Sequence, residues 1–187
     1  MWDDRNLMEI LSKGGVAVMP TDTLYGVVGQ AENIATVERI YKVRKRASEK
    51  PCIVLIGNLS DLEKFSITVS EEQKIALNKY WLGGLAGPVS IVLNCLDEKF
   101  SYLHRGTKTL AFRLPAQTGL QNLLKKTGPL IAPSANPEGL PPAQTIAEAK
   151  NYFGDLVDLY IDGGSLAGQA SKVIKLHKNG LVDILRP

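Results

Sequence analysis

The sequence predicts an α/β fold in which helices pack on one sheet of mixed strand direction. Three observations carry that prediction. Segments of helical period alternate with short β-branched or apolar runs along the whole chain. Near the end, Val173–Leu176 and Leu181–Leu185 flank His177-Lys-Asn-Gly180 as a hairpin, so at least one strand pair runs antiparallel. The 187 residues, 44% of them hydrophobic, can bury one core, and no linker-like stretch divides them, so residues 1–187 read as a single domain.

Leu7, Ile10 and Leu11 follow helical spacing after possible caps Asp3 and Asp4, and Gly14-Gly15 ends that pattern before the strand-like Val16–Met19. A second helix is predicted over Asn33–Arg44, where Val37, Ile40, Tyr41 and Arg44 share a face. The apolar run Pro51–Ile56 follows as a strand. Ser70 with Gln73 predicts a capping box before a helix over Lys74–Trp81, and Thr145 with Glu148 predicts another before a helix stopped at Gly154. Thr118–Lys126 reads as a short helix closed by Gly128 and Pro129. The remaining strands are Val89–Leu93, Thr109–Arg113, Leu130–Ala132, Val157–Ile161, Ser171–Leu176 and Leu181–Leu185.

Charge is concentrated. Arg39–Lys50 holds six of the 22 Lys and Arg residues and one acid, a local +5 in a chain of net +3. Guanidinium groups fixed at a helix end beside an apolar strand suit a defined anion, phosphate or carboxylate. The small overall excess argues against a general polyanion binder, which carries a broad basic face. Cys52 and Cys95 lie in strand-like runs and read as reduced packing thiols. His104 and His177 have no Cys or His at metal-ligand spacing, so no protein-built metal site is expected, and His104 reads as a loop residue. No apolar run approaches the roughly 18 residues of a spanning helix, and the N-terminus lacks a basic region followed by an apolar one. A cytoplasmic protein without membrane association is the expectation.

Four segments carry candidate chemistry. Pro20-Thr-Asp-Thr-Leu-Tyr-Gly26 can line a pocket with hydroxyls, although alone it reads as an ordinary polar turn. Pro133-Ser134-Ala-Asn136-Pro137 sets a hydroxyl and an amide two residues apart, on one side of an extended backbone. Asp162-Gly163-Gly164 through Gly168-Gln-Ala-Ser171 can bring backbone N–H groups to a phosphate, yet fits neither glycine-rich nucleotide pattern. Arg113 ends an apolar strand and needs an anion there, either a structural carboxylate or that of a substrate. Tyr80 and Trp81 read as core packing.

Together these segments resemble the YrdC-like family of L-threonylcarbamoyladenylate synthases, in its short single-domain form. Pro20–Gly26 is similar to the family's P-T-[ED]-T-x-Y-G, Arg44-Lys-Arg46 to its K-x-R-P, and Gly87-Pro-Val-Ser90 to its G-P-[LV]-T. Leu110–Pro115 is similar to [LV]-A-x-R-x-P, Ser134-Ala-Asn136 with Gly139 to S-A-N-x-S-G, Ser171 to the serine of S-T-[VI], and Ile184–Pro187 to the closing I-x-R-x-G. Seven pieces in order span nearly the whole chain. The departures are Arg44 for the lysine, Ala47 for the proline, Lys172 for the threonine after Ser171, and extra residues within 82–86.

The resemblance implies a twisted open sheet of mixed parallel and antiparallel strands with a concave, positively charged cavity. It further implies an enzyme, a nucleotidyltransferase, that joins L-threonine, bicarbonate and ATP into threonylcarbamoyl-AMP with release of pyrophosphate. Partner proteins would then modify the tRNA adenosine beside the anticodon. Arg44 and Arg46 would hold the triphosphate and act in catalysis, while Ser134, Asn136, Ser171 and Arg186 would complete the ATP site. Thr21, Thr23, Tyr25 and Arg113 would bind threonine, with Arg113 on its carboxylate. Magnesium would come with ATP, without a dedicated protein site. Two other readings share the fold: a non-catalytic relative binding a nucleotide, tRNA or double-stranded RNA, and a carbamoyl-adenylating module of the hydrogenase-maturation kind.

Overall fold

The computed structural model describes residues 1–83 and 87–187. Its strands join in one sheet, in the order β7-β1-β2-β6-β3-β5-β4-β8-β9. These are β1 (Ala17–Pro20), β2 (Tyr25–Gln30), β3 (Ile53–Leu55), β4 (Val89–Asn94), β5 (Thr109–Arg113), β6 (Leu130–Ile131), β7 (Leu159–Tyr160), β8 (Lys172–Leu176) and β9 (Val182–Arg186). The pairs β1/β7, β3/β5 and β4/β8 are parallel. The pairs β1/β2, β2/β6, β3/β6, β4/β5 and β8/β9 are antiparallel. The expected mixed, open sheet is therefore present, and its C-terminal hairpin pairs as predicted.

One strand escaped the sequence reading. β2 runs through Tyr25-Gly-Val-Val-Gly-Gln30, partly within the segment taken as a loop, and lies between β1 and β6. Its glycines hide the strand pattern, and Gly29 is required by packing: a Cβ there would sit 2.3 Å from Cγ2 of Thr36 on the helix that crosses it.

Six helices flank the sheet: α1 (Arg5–Ser12), α2 (Ile34–Val43), α3 (Glu71–Leu77), α4 (Ser101–His104), α5 (Thr118–Thr127) and α6 (Ile146–Phe153). Caps fix their starts, with Asp4 accepting from the Leu7 amide and Asn33 from the Thr36 amide. The Ser70–Gln73 capping box forms in full, whereas the Thr145–Glu148 box is half made. Thr145 accepts from the Glu148 amide, but the Glu148 carboxylate reaches past it to the Gln144 amide. Helix α3 passes into a wider π turn over Asn78–Leu82, so the expected Lys74–Trp81 helix is two pieces. Trp81 is core, its Nε1 donating to the Val89 carbonyl, and Tyr80 packs against that core. His104 closes α4, buried, with Nδ1 accepting from the Gly106 amide, and is not a loop residue. The extra residues predicted to matter at 82–86 fall partly on 84–86, outside the described residues.

The two faces of the sheet are covered unequally, and this creates the cavity. Val54, Ile91, Leu93, Leu110, Phe112 and Ile174 point into the larger core with α2, α4 and α6. Ala17, Met19, Val28, Leu55 and Leu130 point to the other face, where α1 and α5 pack on each other. Past α1 and α5 that second face carries Ile53, Val92, Ala111 and Val173, which form a cavity wall instead of a core. Phe112 anchors the wall from behind, its ring 5.2 Å from Phe65, which in turn lies 5.4 Å from Phe100. Phe112→Ala is expected to lower stability by about 3–5 kcal/mol, read from urea unfolding, with Ala111 and Arg113 kept in register.

Candidate functional site

A cavity of about 590 Å³ opens on that second face. Its wall includes Thr21, Thr23, Tyr25, Arg44, Arg46, Arg113, Ser134, Ser171 and Arg186, nine of the ten predicted site residues. They come from β2 and the turn before it, the end of α2, β5, the segment after β6, and the edges of β8 and β9. Each is held differently.

Helix α2 ends in a Schellman turn: the Arg46 amide donates to the Tyr41 carbonyl and the Lys45 amide to the Lys42 carbonyl, with Lys45 at φ +50°. This reversal sends Arg44 and Arg46 to the cavity. Arg44 is buried, its Nε donating to the Asn136 carbonyl at 3.0 Å and its Nη2 to Asn136 Oδ1 at 3.2 Å and Ser134 Oγ at 3.4 Å. Its Nη1 is buried without a hydrogen-bond partner among the described residues. Burial, with the nearby Arg46 charge, pushes Arg44 down to about 10, so it stays protonated at neutral pH. Arg46 donates Nε to the Lys50 carbonyl and Nη2 to the Pro51 carbonyl, bonds that stay within its own loop.

Asn136 is the exception among the predicted residues, being buried and absent from the wall. Its Oδ1 accepts from Ser134 Oγ at 2.7 Å as well as from Arg44, and its Nδ2 donates to the Pro137 and Leu140 carbonyls. All its side-chain polar atoms are engaged within the chain, and it holds Arg44.

Arg113 resolves the choice left open by the sequence. Asp22 Oδ1 accepts from its Nε at 3.0 Å and Nη2 at 2.8 Å, and both side chains are only 4% exposed. Nη2 also approaches Thr23 Oγ1 at 3.3 Å. A structural carboxylate therefore holds one edge of this guanidinium. Thr21 and Tyr25 are similarly committed. Thr21 Oγ1 donates to the Leu24 carbonyl and accepts from the Thr23 and Leu24 amides, closing the turn. Tyr25 donates to the Gly164 carbonyl and accepts from the Gly163 amide, and burial raises its phenol above the usual range. The glycine-rich segment is thereby pinned over β2, where a Cβ on Gly168 would lie 2.0 Å from the Thr23 carbonyl.

At the far edge, Arg186 donates Nε and Nη2 to the Ser171 carbonyl at 3.0 and 2.8 Å, and Ser171 Oγ lies 2.8 Å from Ser90 Oγ. A bulge between the Val173–Arg186 and Ile174–Ile184 pairs gives β9 one extra residue, so Leu185 and Arg186 both face the cavity. Burial first, and the Arg113 charge second, lower Arg186 from the usual arginine value.

The basic cluster is less concentrated than its sequence. Arg39 is bound bidentately by Asp158, and Lys50 is paired with Glu138, leaving Arg44 and Arg46 at the wall. Asp22 lies in the Pro20–Gly26 motif but was not named as a site residue, and neither was the wall thiol Cys52; nothing local shows that Asp22 meets an arginine 91 positions away. Among the described residues no group of three His, Cys, Asp or Glu side chains gathers as a metal site, and no helix is long and apolar enough to cross a membrane. Both cysteines are free and buried.

Residues 9–187 match the family model of the Sua5, YciO and YrdC proteins, described as "Telomere recombination". Threonylcarbamoyl-AMP synthase of Bacillus subtilis is 29% identical over 181 residues, covering 95% of this chain and 51% of that protein. Pyrococcus abyssi Sua5 complexed with L-threonine superposes with a TM-score of 0.78 at 28% identity, over 92% of this chain and 50% of that one. Escherichia coli YciO superposes at 0.80 with 26% identity, over 97% and 86%. The chain spans about half the length of the Bacillus and Pyrococcus proteins.

Asp22→Ala would strand the Arg113 charge and is expected to cost about 3–5 kcal/mol. In urea unfolding, Asp22→Ala combined with Arg113→Met should recover most of that loss.

Proposed function

Because the chain belongs to the Sua5, YciO and YrdC family, we propose that it is an L-threonylcarbamoyladenylate synthase, a nucleotidyltransferase acting on L-threonine, bicarbonate and ATP. The observation that carries this reading is the convergence of four guanidinium groups, Arg44, Arg46, Arg113 and Arg186, on one cavity also lined by the hydroxyls of Thr21, Thr23, Ser134 and Ser171. Two anionic reactants need such a place, because bringing them together requires charge neutralisation and fixed orientation more than a covalent nucleophile. The relatives named threonylcarbamoyl-AMP synthase and the threonine complex of the Pyrococcus protein support the choice of reactants.

In this reading the threonine amine takes up CO2 from bicarbonate to give a carbamate, the hydroxide left by bicarbonate and a proton from the amine leaving as water. A carbamate oxygen then forms a bond to the α-phosphorus of ATP, and the bond to the pyrophosphate oxygen breaks, releasing pyrophosphate. Arg46 binds triphosphate oxygens, and Arg44 offers the partnerless Nη1. Ser134 and Ser171 with Arg186 complete the ATP site, while Asn136 serves through Arg44. Arg113 binds the threonine carboxylate by the part of its guanidinium that Asp22 leaves uncovered. ATP enters with its magnesium counter-ion, which lessens the charge the arginines must offset. The product would pass to partner proteins that modify tRNA, which fits a cytoplasmic setting.

Pyrophosphate release should require threonine, bicarbonate and ATP together; salt-sensitive RNA binding without turnover would instead indicate a non-catalytic binder. Arg46→Ala should lower kcat about 100-fold or more and leave the urea midpoint nearly unchanged, since among the described residues Arg46 bonds only to its own loop. Near-normal turnover in that folded variant would remove Arg46 from the mechanism.

A further inference from the structure

The turn that carries Arg46 is gripped from outside the cavity by one carboxylate. Glu138 Oε2 accepts from the Ala47 amide at 2.5 Å, its Oε1 pairs with Lys50 Nζ, and its own amide donates to the Arg44 carbonyl at 2.8 Å. The Lys50 amide closes the turn on the Ala47 carbonyl at 3.2 Å. The Lys50 carbonyl is in turn the acceptor that aims Arg46 Nε, and it also accepts from Tyr41 Oη at 2.8 Å. One side chain thus holds both ends of the 47–50 segment, and that segment's last carbonyl orients the arginine.

Ala47 is the departure from the proline of K-x-R-P named above, and the S-A-N-x-S-G pattern laid on Ser134–Gly139 has a serine where this chain has Glu138, so the two meet in space. A proline fixes its own φ and has no N–H to give. Alanine leaves the turn looser and supplies the amide that the Glu138 carboxylate accepts. A half-exposed lysine–glutamate pair adds little to stability by itself, so the effect of the carboxylate is to be sought in the geometry of the turn.

We propose that Glu138 is a positioning residue, which sets Arg46 for its anionic ligand by clamping the 47–50 turn in place of a proline ring. The proposal rests on the reading of Arg46 as a triphosphate ligand. Glu138 does not line the cavity, and it acts through Lys50 and Ala47.

The test is a mutant cycle of Glu138→Ser, Ala47→Pro and the double variant in the full chain. Calorimetric binding of ATP and of inorganic tripolyphosphate would be measured beside the KM for ATP, kcat and the urea midpoint. Glu138→Ser should weaken both ligands and raise the KM for ATP about tenfold, the loss of one charge-assisted bond's worth of fixation, and should lower kcat by less than Arg46→Ala does, with the KM for threonine little changed. Ala47→Pro alone should also weaken binding, because it removes the donor that Glu138 needs. The double variant should return to within about threefold of the starting affinity. Should Glu138→Ser fold poorly, Glu138→Gln keeps an acceptor for the Ala47 amide and should lose less. Unchanged binding in folded Glu138→Ser or Glu138→Gln, or a double variant whose loss is the product of the single losses, would overturn the proposal. A parent protein that binds both ligands but releases no pyrophosphate refutes the synthase reading while leaving the clamp to be judged on binding; one that binds neither overturns the clamp as well.

Discussion

Like charges that meet in one hollow repel, and this fold is arranged around holding four of them there. Desolvation already weighs against Arg44 and Arg186, and each also feels another arginine, Arg46 for the first and Arg113 for the second. What keeps the groups in place is a set of acceptors drawn from distant parts of the chain: the Asn136 backbone and side chain for Arg44, Asp22 for Arg113, and the Ser171 carbonyl for Arg186. Among the described residues, Arg113 alone of the four is matched by a full negative charge within bonding distance. The others rest on neutral oxygens, which fix direction without cancelling charge, so the cavity retains its pull on an anion.

The sheet supplies the rigid frame for these contacts. Because its larger face is filled by α2, α4 and α6, the strands that bear the arginines cannot slide without disturbing a packed core. On the opposite face α1 and α5 cover only the β1, β2, β6 and β3 region. The alternation of each remaining strand therefore directs one set of side chains into the core and the other into open space. β5 is the clearest case, with Leu110 and Phe112 inside and Ala111 and Arg113 on the wall.

Much of this was legible in the sequence. Thr109–Arg113 was bounded correctly, the hairpin was evident, and the Ser70–Gln73 cap behaved as its pattern requires. Those features depend on near neighbours, and so local periodicity and side-chain chemistry determine them. β2 was hidden because a strand squeezed under a helix needs glycine where pattern reading looks for valine. The wall residues lie in short motifs, as does Asp22, but their pairings across the chain carry no local signal. Asn136 stood out by residue type and spacing, yet its role depends on Arg44, 92 positions away, and no run of neighbouring residues announces that meeting.

The irregularity at Leu185 has a consequence for how this chain can change length. In an unbroken antiparallel pair, adjacent side chains alternate sides, and with Leu185 in the chain Arg186 reaches the hollow because the pairing skips that surplus residue. Removing that surplus residue would remove the bulge with it, and the arginine would then follow Ile184 directly, pair with Val173 and still face the hollow. The bulge thus gives the hollow two consecutive side chains, an apolar one and a cation, where a regular strand would offer only one of the two positions.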